Sequence, residues 1–487
     1  MATIARGRRA AHGTIVLVLS RGCFFFVGYL VVVVLARSFG PAAYGTYGVI
    51  MAVLVWLEQS ARMAVPAAIT VLLTQSEDHA KPVERSGLAL NLALHMLFFA
   101  ALWFAAPWLA SLFGIHDGAF LIRVAALDLP LYGIYTALQA IHQGHHRFVR
   151  LGVVEVVYAL AKLLGVLVIV YLGISLVQAF VVNALATIAG IAFLLPQTRF
   201  WSKDDWLPFV RPIALMAAPI GLYALAQLLT STLDLWILEI VLTSAQEATV
   251  GVYLAVLNIA RVPGFALSAV AAVLLPSVSE ANARKDQALV ERYINQALRF
   301  FLIAYLPVLL VLAAHQEDLM LVVYGSEFGG GARLLPILVI AHGLWALHAI
   351  LGSVLIALGR VREIALATAA AIVPACALFA FAVHFHGALG AAVVSALVPA
   401  ALCAIFGLLL RAQIGPFLVW RSVARIGFAS LLMYSSSILL TDEFIGFIPL
   451  HIAVVVSVLV YVAVLFVSGE VRREEFAIVF SRKLGQR

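Results

Sequence analysis

The sequence predicts an all-α, polytopic membrane protein. It should have about fourteen transmembrane helices, arranged as two parallel six-helix lobes plus two C-terminal helices. Three observations predict this class. Of 487 residues, 64% are hydrophobic and only 11% are charged, whereas a soluble domain carries about 25% charge. Apolar runs long enough to cross about 30 Å of hydrocarbon recur from end to end. Lys and Arg gather in every second loop between those runs.

The runs fall at 14–36, 44–74, 86–112, 119–142, 150–172, 175–196, 209–240, 249–275, 294–314, 334–358, 361–384, 388–411, 423–441 and 448–468. The first follows Arg6-Gly7-Arg8-Arg9, as in a signal peptide. It is long, however, and reaches a turn without a cleavage site, so an uncleaved first span is expected. That turn is Arg37-Ser38-Phe39-Gly40-Pro41. Pro41 has no N–H to donate and Gly40 tolerates turn dihedrals. With the N-terminus placed in the cytoplasm, loops on that side hold 24 of the 31 Lys and Arg. The opposite loops flank only Arg37 and Arg333, and Arg21, Arg62, Arg123, Lys162 and Arg261 fall inside spans. Both termini are therefore expected in the cytoplasm.

The outer loops are short, and the longest, 315–333, contains Gly329-Gly330-Gly331. Two inner loops, 198–211 and 276–299, are longer and partly amphipathic. The tail, 470–487, spaces Phe476, Val479, Phe480 and Leu484 at helical intervals among basic residues. It fits a helix on the membrane surface or a disordered basic tail.

Composition and motifs exclude several functions. The net charge of +7 sits in short loops between apolar runs, which is no footprint for nucleic acid. Cys23, Cys376 and Cys403 all lie in apolar segments without metal or disulfide spacing, so no metal and no cofactor is expected. No P-loop exists, and Asp204-Asp205 stands in a short loop with no fold around it. The chain is not expected to be an enzyme.

An internal repeat is visible. Tyr44-Gly45-Thr46-Tyr47 opens span two, and Val250-Gly251-Val252-Tyr253 opens span eight, 206 residues later. Gln143-Gly144 after span four is echoed by Leu358-Gly359 after span ten, an offset of 215. Six spans separate the copies, so both have one orientation. The expected division is 1–197, 198–411 and 412–487, with a site between the two lobes.

These segments resemble a known family. RSFGPAAYGTYGVIMAVL after span one and VGVYLAVLNIARVPGFALSAVAAVLLPSVSE in span eight are similar to the openings of the two lobes of polysaccharide and O-antigen flippases. That family belongs to the multidrug/oligosaccharidyl-lipid/polysaccharide exporter superfamily. The likeness covers nearly the whole chain in span count and repeat layout. The charge pattern expected after span one of lipid II flippases is missing. The resemblance implies a flippase that carries undecaprenyl-diphosphate-linked oligosaccharide across the bacterial inner membrane by alternating access, for cell-surface polysaccharide biosynthesis. It also implies contact with membrane lipids and with a polysaccharide polymerase or export machinery. Two rivals stay open. A multidrug or cation antiporter of the same superfamily would need a net acidic cavity. A membrane-embedded glycan polymerase would need a large outer loop.

The candidate site residues come from polar stripes at helical spacing, which cannot face lipid. Span four carries Asp128, Tyr132, Tyr135, Gln139 and His142; span five carries Glu155, Tyr158 and Lys162. Span seven carries Tyr223, Gln227, Ser231 and Asp234; span eight carries Asn258, Arg261 and Ser268. Span two adds Glu58 and Arg62, four apart on one face. A stripe lines either a cavity or a seam between helices. Pairing within a helix is the plain reading of Glu58 with Arg62 and of Glu155 with Lys162. Arg21 and Arg261 have no acid within one turn and are expected to be the free cations. A guanidinium fork suits a phosphate, so Arg62, Arg261 and Arg21 are the candidates for the diphosphate. The tyrosines of span four suit sugar faces. Asp128, Glu155 and His95 are candidates for ion coupling, although a lone intramembrane His is most often a packing residue. His342 and His348 read the same way.

The topology is directly testable. Cysteines introduced at Ser326 and Asp442 should react with an impermeant reagent applied outside the cell. Cysteines at Lys203 or Gln287 should not, and labelling of Lys203→Cys in intact cells would contradict the fourteen-span reading.

Overall fold

The computed structural model describes residues 2–75, 79–173, 175–197, 205–242, 247–415, 420–441 and 450–471. Lys203, Asp204, Asp442 and nearly all of the basic tail lie outside the described residues. In chain order the helices are α1 (Ala2–Gln75), α2 (Ala80–Leu112), α3 (Gly118–Ala126), α4 (Asp128–Gly144), α5 (Phe148–Leu172), α6 (Leu176–Leu194), α7 (Leu207–Thr230), α8 (Leu233–Val241), α9 (Glu247–Ala283), α10 (Gln287–Ala314), α11 (Gln316–Tyr324), α12 (Leu335–Ala357), α13 (Val361–Ile414), α14 (Trp420–Thr441) and α15 (Leu450–Val467). Among the described residues there is no strand, and ten helices are long and apolar enough to cross a membrane. The protein is a multi-pass, all-α membrane protein.

Two of those ten helices are far too long for one crossing. A straight 54-residue helix such as α13 would reach about 81 Å, against a core of about 30 Å. Its backbone breaks at Gly387, at φ 54°. A Cβ built on Gly390 would fall 2.0 Å from the carbonyl oxygen of Ala382. Eight residues along a straight helix would separate them by about 12 Å, so the chain doubles back. α1 breaks at Gly40, at φ 71°, as the Gly40-Pro41 signal predicts. Across that break the rings of Phe39 and Tyr47 lie 6.1 Å apart.

Two breaks were not anticipated in the single runs 119–142 and 209–240. Ser231 and Thr232 separate α7 from α8, and both hydroxyls donate back to Leu228 O, at 3.0 and 2.7 Å. Such back-bonding competes with the helical ladder and bends it. The other break is Leu127, between α3 and α4. Pro130 follows and offers no N–H to the preceding turn, which leaves Asp128 at the N-terminal end of α4. The segment 315–333, expected as a loop, is folded. It forms α11 and a 3-10 segment, Ser326–Leu334, packed around Tyr324 and Phe328.

Packing divides the chain into two compact units. One is Met1–Leu254 with Ile372–Ala391; the other is Ala255–Ala371 with Ala392–Arg487. In the first, α7 lies against α1. Trp56 Nε1 donates to Leu225 O at 3.0 Å. Below it Ala64, Val65, Ala68 and Ile69 pack with Ala137, Ala140, Ile213 and Ala217. Small residues let these backbones approach without lipid between them. The repeat boundaries at 197 and 411 describe kinship between segments, whereas these units describe packing.

The first unit also brings the two repeated motifs into contact. A Cβ on Gly251 would lie 1.7 Å from Pro41 O and 3.0 Å from Gly45 N. Leu254 fills the notch at Gly48. In the second unit, α14 and α15 pack on α10 through Ile426, Ala429, Met433, Tyr461 and Leu465. Tyr305 OH donates to Val339 O over the bare face of Gly343. His315 Nε2 meets Ser437 Oγ at 2.6 Å.

Gly251→Ala should therefore destabilise the protein by about 1–3 kcal/mol, because the added methyl meets backbone that cannot swing away. Gly407→Ala has no atom within 4 Å of its new Cβ. It should be neutral or stabilise by up to about 1 kcal/mol. Thermal unfolding in detergent compares the two.

Candidate functional site

The first unit holds a buried polar network built from four helices. Asp128, on α4, is 1% exposed. Its Oδ2 accepts from Asn183 Nδ2 on α6 at 2.5 Å. Asn183 Oδ1 in turn accepts from Lys162 Nζ on α5 at 2.5 Å, with Tyr158 OH at 3.5 Å. Thr187, one turn beyond Asn183, also reaches Asp128. Glu58, on α1, is buried and hydrogen-bonds to Asp128. Glu58 Oε1 and Asp128 Oδ1 have no partner among the described residues.

A second cluster lies beside it. Arg62 hydrogen-bonds to Tyr132, which also accepts from Gln59 Nε2 at 3.2 Å. Gln139 Nε2 donates to Tyr135 OH at 3.0 Å. The rings of Tyr135 and Tyr158 stack at 5.6 Å, and Tyr132 tilts against Tyr135 at 6.0 Å. Glu155 Oε1 meets Arg21 Nε at 3.5 Å, while Glu155 Oε2 has no partner. The Arg21 side chain is 56% exposed and that of Glu155 only 10%.

Ten expected residues thus come together in one unit: Arg21, Glu58, Arg62, Asp128, Tyr132, Tyr135, Gln139, Glu155, Tyr158 and Lys162. Three sequence-based readings need correction. Arg21 is not free, because α5 brings Glu155 to it from outside its own helix. Glu58 and Arg62 share a face but take different partners, Asp128 and Tyr132. Lys162 binds Asn183 rather than Glu155. In each case the partner comes from a neighbouring helix.

The remaining candidates have other settings. His95 is fully buried, with Nδ1 2.8 Å from Asn91 O, and its ring lies over Gly133. This is the environment of a packing histidine. Asp234 accepts from Tyr253 OH at 2.9 Å and from the Leu235 N–H, and belongs to the first unit with Gln227. Arg261 and Asn258 are half-buried on α9 and belong to the second unit, where Arg261 lies within electrostatic reach of His342. The Ser268 side chain lies outside those described. Arg123, one of the five basic residues inside the spans, donates to Trp103 O and stacks over its ring.

Asn183 and Thr187 are the network residues that sequence reasoning missed. Each is a single polar residue in the apolar run 175–196, a pattern that usually marks a seam. Their four-residue spacing is the signal that was available.

Comparison with known proteins adds the following. A family model described as polysaccharide biosynthesis protein matches residues 10–282. The chain is similar to the probable low-salt glycan biosynthesis flippase Agl15 of Haloferax volcanii, 28% identical over 34% of this chain and 35% of that protein. It is also similar to the succinoglycan biosynthesis transport protein ExoT of Rhizobium meliloti, 25% identical over 67% of this chain and 65% of that one. These matches thus span about a third and just under two thirds of the two relatives. In structure it resembles the lipid II flippase MurJ in an inward closed conformation, with a TM-score of 0.77 at 14% identity, over 94% of this chain and all of that one. It also resembles an inward-facing MATE multidrug transporter of the MOP superfamily, with a TM-score of 0.69 at 16% identity, over 79% and 94% of the two chains. At these identities the structural likeness establishes the fold.

The network should behave as one coupled unit. Lys162→Met and Asp128→Asn should each lower thermal stability, since each strands charge that Asn183 now bridges. Combined, they should cost less than the sum of the two, with a coupling of about 0.5–3 kcal/mol in a double-mutant cycle.

Proposed function

The chain belongs to the polysaccharide biosynthesis protein family, and on that premise we propose that it is a flippase for an undecaprenyl-diphosphate-linked oligosaccharide. The cargo crosses the bacterial inner membrane by alternating access, from the cytoplasmic to the outer leaflet, for cell-surface polysaccharide biosynthesis. Both termini are cytoplasmic. The observation that carries this reading is the family match over residues 10–282, joined to intramembrane arginines beside a tyrosine wall.

Arg62 in the first repeat and Arg261 in the second are the candidate groups for the diphosphate, which a guanidinium holds through paired hydrogen bonds. Arg62 has Tyr132 as its partner in this conformation, so a phosphate oxygen takes the place of a phenol and not of a carboxylate. Arg21 is the third contact and exchanges Glu155 for the substrate. Tyr132, Tyr135 and Tyr158 flank the glycan. The Glu58–Asp128 pair, tied through Asn183 to Lys162, is the candidate for coupling to a proton or cation gradient, with Glu155 beside it. A polymerase and export machinery would take over the delivered glycan outside.

A cation antiporter is the second reading, and the paired carboxyls Glu58 and Asp128 are the observation that favours it. The two are separated by deletion followed by lipid analysis. Accumulation of a diphosphate-linked glycan on the inner leaflet supports the flippase. An unchanged lipid pool with lost drug or cation efflux supports the antiporter. Arg62→Ala and Arg261→Ala should reach the membrane and lower glycan export about tenfold or more, since a charge-assisted hydrogen bond contributes about 1.5–3 kcal/mol. Arg261→Lys should also lose much of the activity, because lysine lacks the fork. Normal export by the double alanine variant would remove the anion site from the mechanism.

A further inference from the structure

We propose that the second unit carries a separate binding site for the anionic, hydroxyl-bearing headgroup of a membrane phospholipid, in a cavity between α10 and α14. The cavity has a volume of about 420 Å³ and lies among the basic loops. Its polar lining includes Arg292, Asn295, Gln296, Arg299 and Ser422. Its apolar lining is Leu298, Leu302 and Val423. None of these residues belongs to the network around Asp128.

Charge and hydrogen bonding identify the ligand chemistry. Arg299 donates to the Glu470 carboxylate at 3.1 Å and to the Glu470 carbonyl. Arg425 lies 3.5 Å from the other carboxylate oxygen. One buried carboxylate is therefore shared by two guanidiniums, and positive charge is left over. Arg292 lines the mouth, is exposed, and makes no ion pair among the described residues. Arg421 is exposed next to Ser422. In the lining Arg292 and Arg299 stand against Glu291, and Arg299 shares the Glu470 carboxylate with Arg425 just outside it, so the cavity and its rim favour an anion. Asn295 Oδ1 is buried without a partner. An unsatisfied buried acceptor calls for a donor, which the phosphodiester of a lipid does not offer and a headgroup hydroxyl does.

The surroundings favour a lipid over a soluble anion. Phe300 on α10 and Phe428 on α14 are 47% and 60% exposed. With Leu431, also exposed, they offer apolar surface beside the cavity along which acyl chains can lie. Basic pockets between membrane helices on the cytoplasmic side bind anionic headgroups in this way.

The test uses purified full-length protein in detergent, titrated with phosphatidylglycerol or phosphatidylcholine and read by native mass spectrometry. Phosphatidylglycerol should give a retained one-to-one adduct that neither phosphatidylcholine nor inorganic phosphate gives. Arg292→Gln should weaken that adduct about fivefold, as expected for one arginine near a lipid phosphate. Ala288→Trp should block it by filling the mouth. Both residues are exposed, so both variants should fold. Arg360 pairs with Glu363 and does not line this cavity, so Arg360→Gln should change nothing. Equal retention of the two lipids, or equal loss from Arg292→Gln and Arg360→Gln, would overturn the proposal. Displacement of phosphatidylglycerol by a prenyl diphosphate would also overturn it and would assign the cavity to the transported substrate.

Discussion

The hydrocarbon of a bilayer offers no water, so every polar atom carried into a span must find its partner inside the protein. The centre of the first unit is arranged around that constraint. Asn183 is the pivot, because a side-chain amide donates and accepts at once. It gives its N–H to Asp128 and takes the Lys162 ammonium on its oxygen. A carboxylate or a hydrocarbon at that place could not bridge both. Three helices, α4, α5 and α6, are therefore tied by one side chain, and Glu58 adds α1 through Asp128. The aromatic rings of Tyr132, Tyr135 and Tyr158 border the network, and their hydroxyls join it at the edge.

Close backbone approach supplies what side-chain bulk cannot. Hydrophobic burial between helices is weak in lipid, since the tails are as apolar as leucine. Van der Waals contact then depends on small residues. At Gly251 the carbonyl of Pro41 occupies the space of a missing Cβ. Because Pro41 sits just after the Gly40 break, the turn that ends one apolar run also forms the surface on which α9 rests. Gly221 does the same for Ala64 within the α1–α7 contact.

Apolar runs and turns were legible in the sequence because each depends on local chemistry. Hydropathy marks the runs, while glycine tolerates a backbone that other residues avoid at Gly40 and Gly387. The break between α7 and α8 was not legible, because two hydroxyls bonding back to Leu228 shift the balance by a small energy in an otherwise apolar run. The polar stripes were legible as stripes. Their pairings were not, because partner choice is tertiary. Spacing on one helix pairs Glu58 with Arg62, yet packing brings Asp128 and Tyr132 nearer. Arg21 shows the same limit, since its partner lies 134 positions away, at Glu155. Asn183 was hidden because one amide in an apolar helix looks like any seam residue until its neighbours are known.

The balance of charge within the first unit bears on what it can bind. Arg21, Arg62 and Lys162 stand against Glu58, Asp128 and Glu155, so composition alone favours neither sign. Exposure separates Arg21 from the other five. Asp128 is 1% and Glu58 4% exposed, turned toward each other and toward Asn183. Arg21 is more than half exposed although it lies in an apolar run. A guanidinium exposed to lipid would be costly, so an exposed one within a span belongs on a water-filled face. A cavity built for cations would turn its carboxylates outward. Here the carboxyls are withdrawn and a guanidinium is presented, which supports an anionic cargo such as a lipid-linked diphosphate.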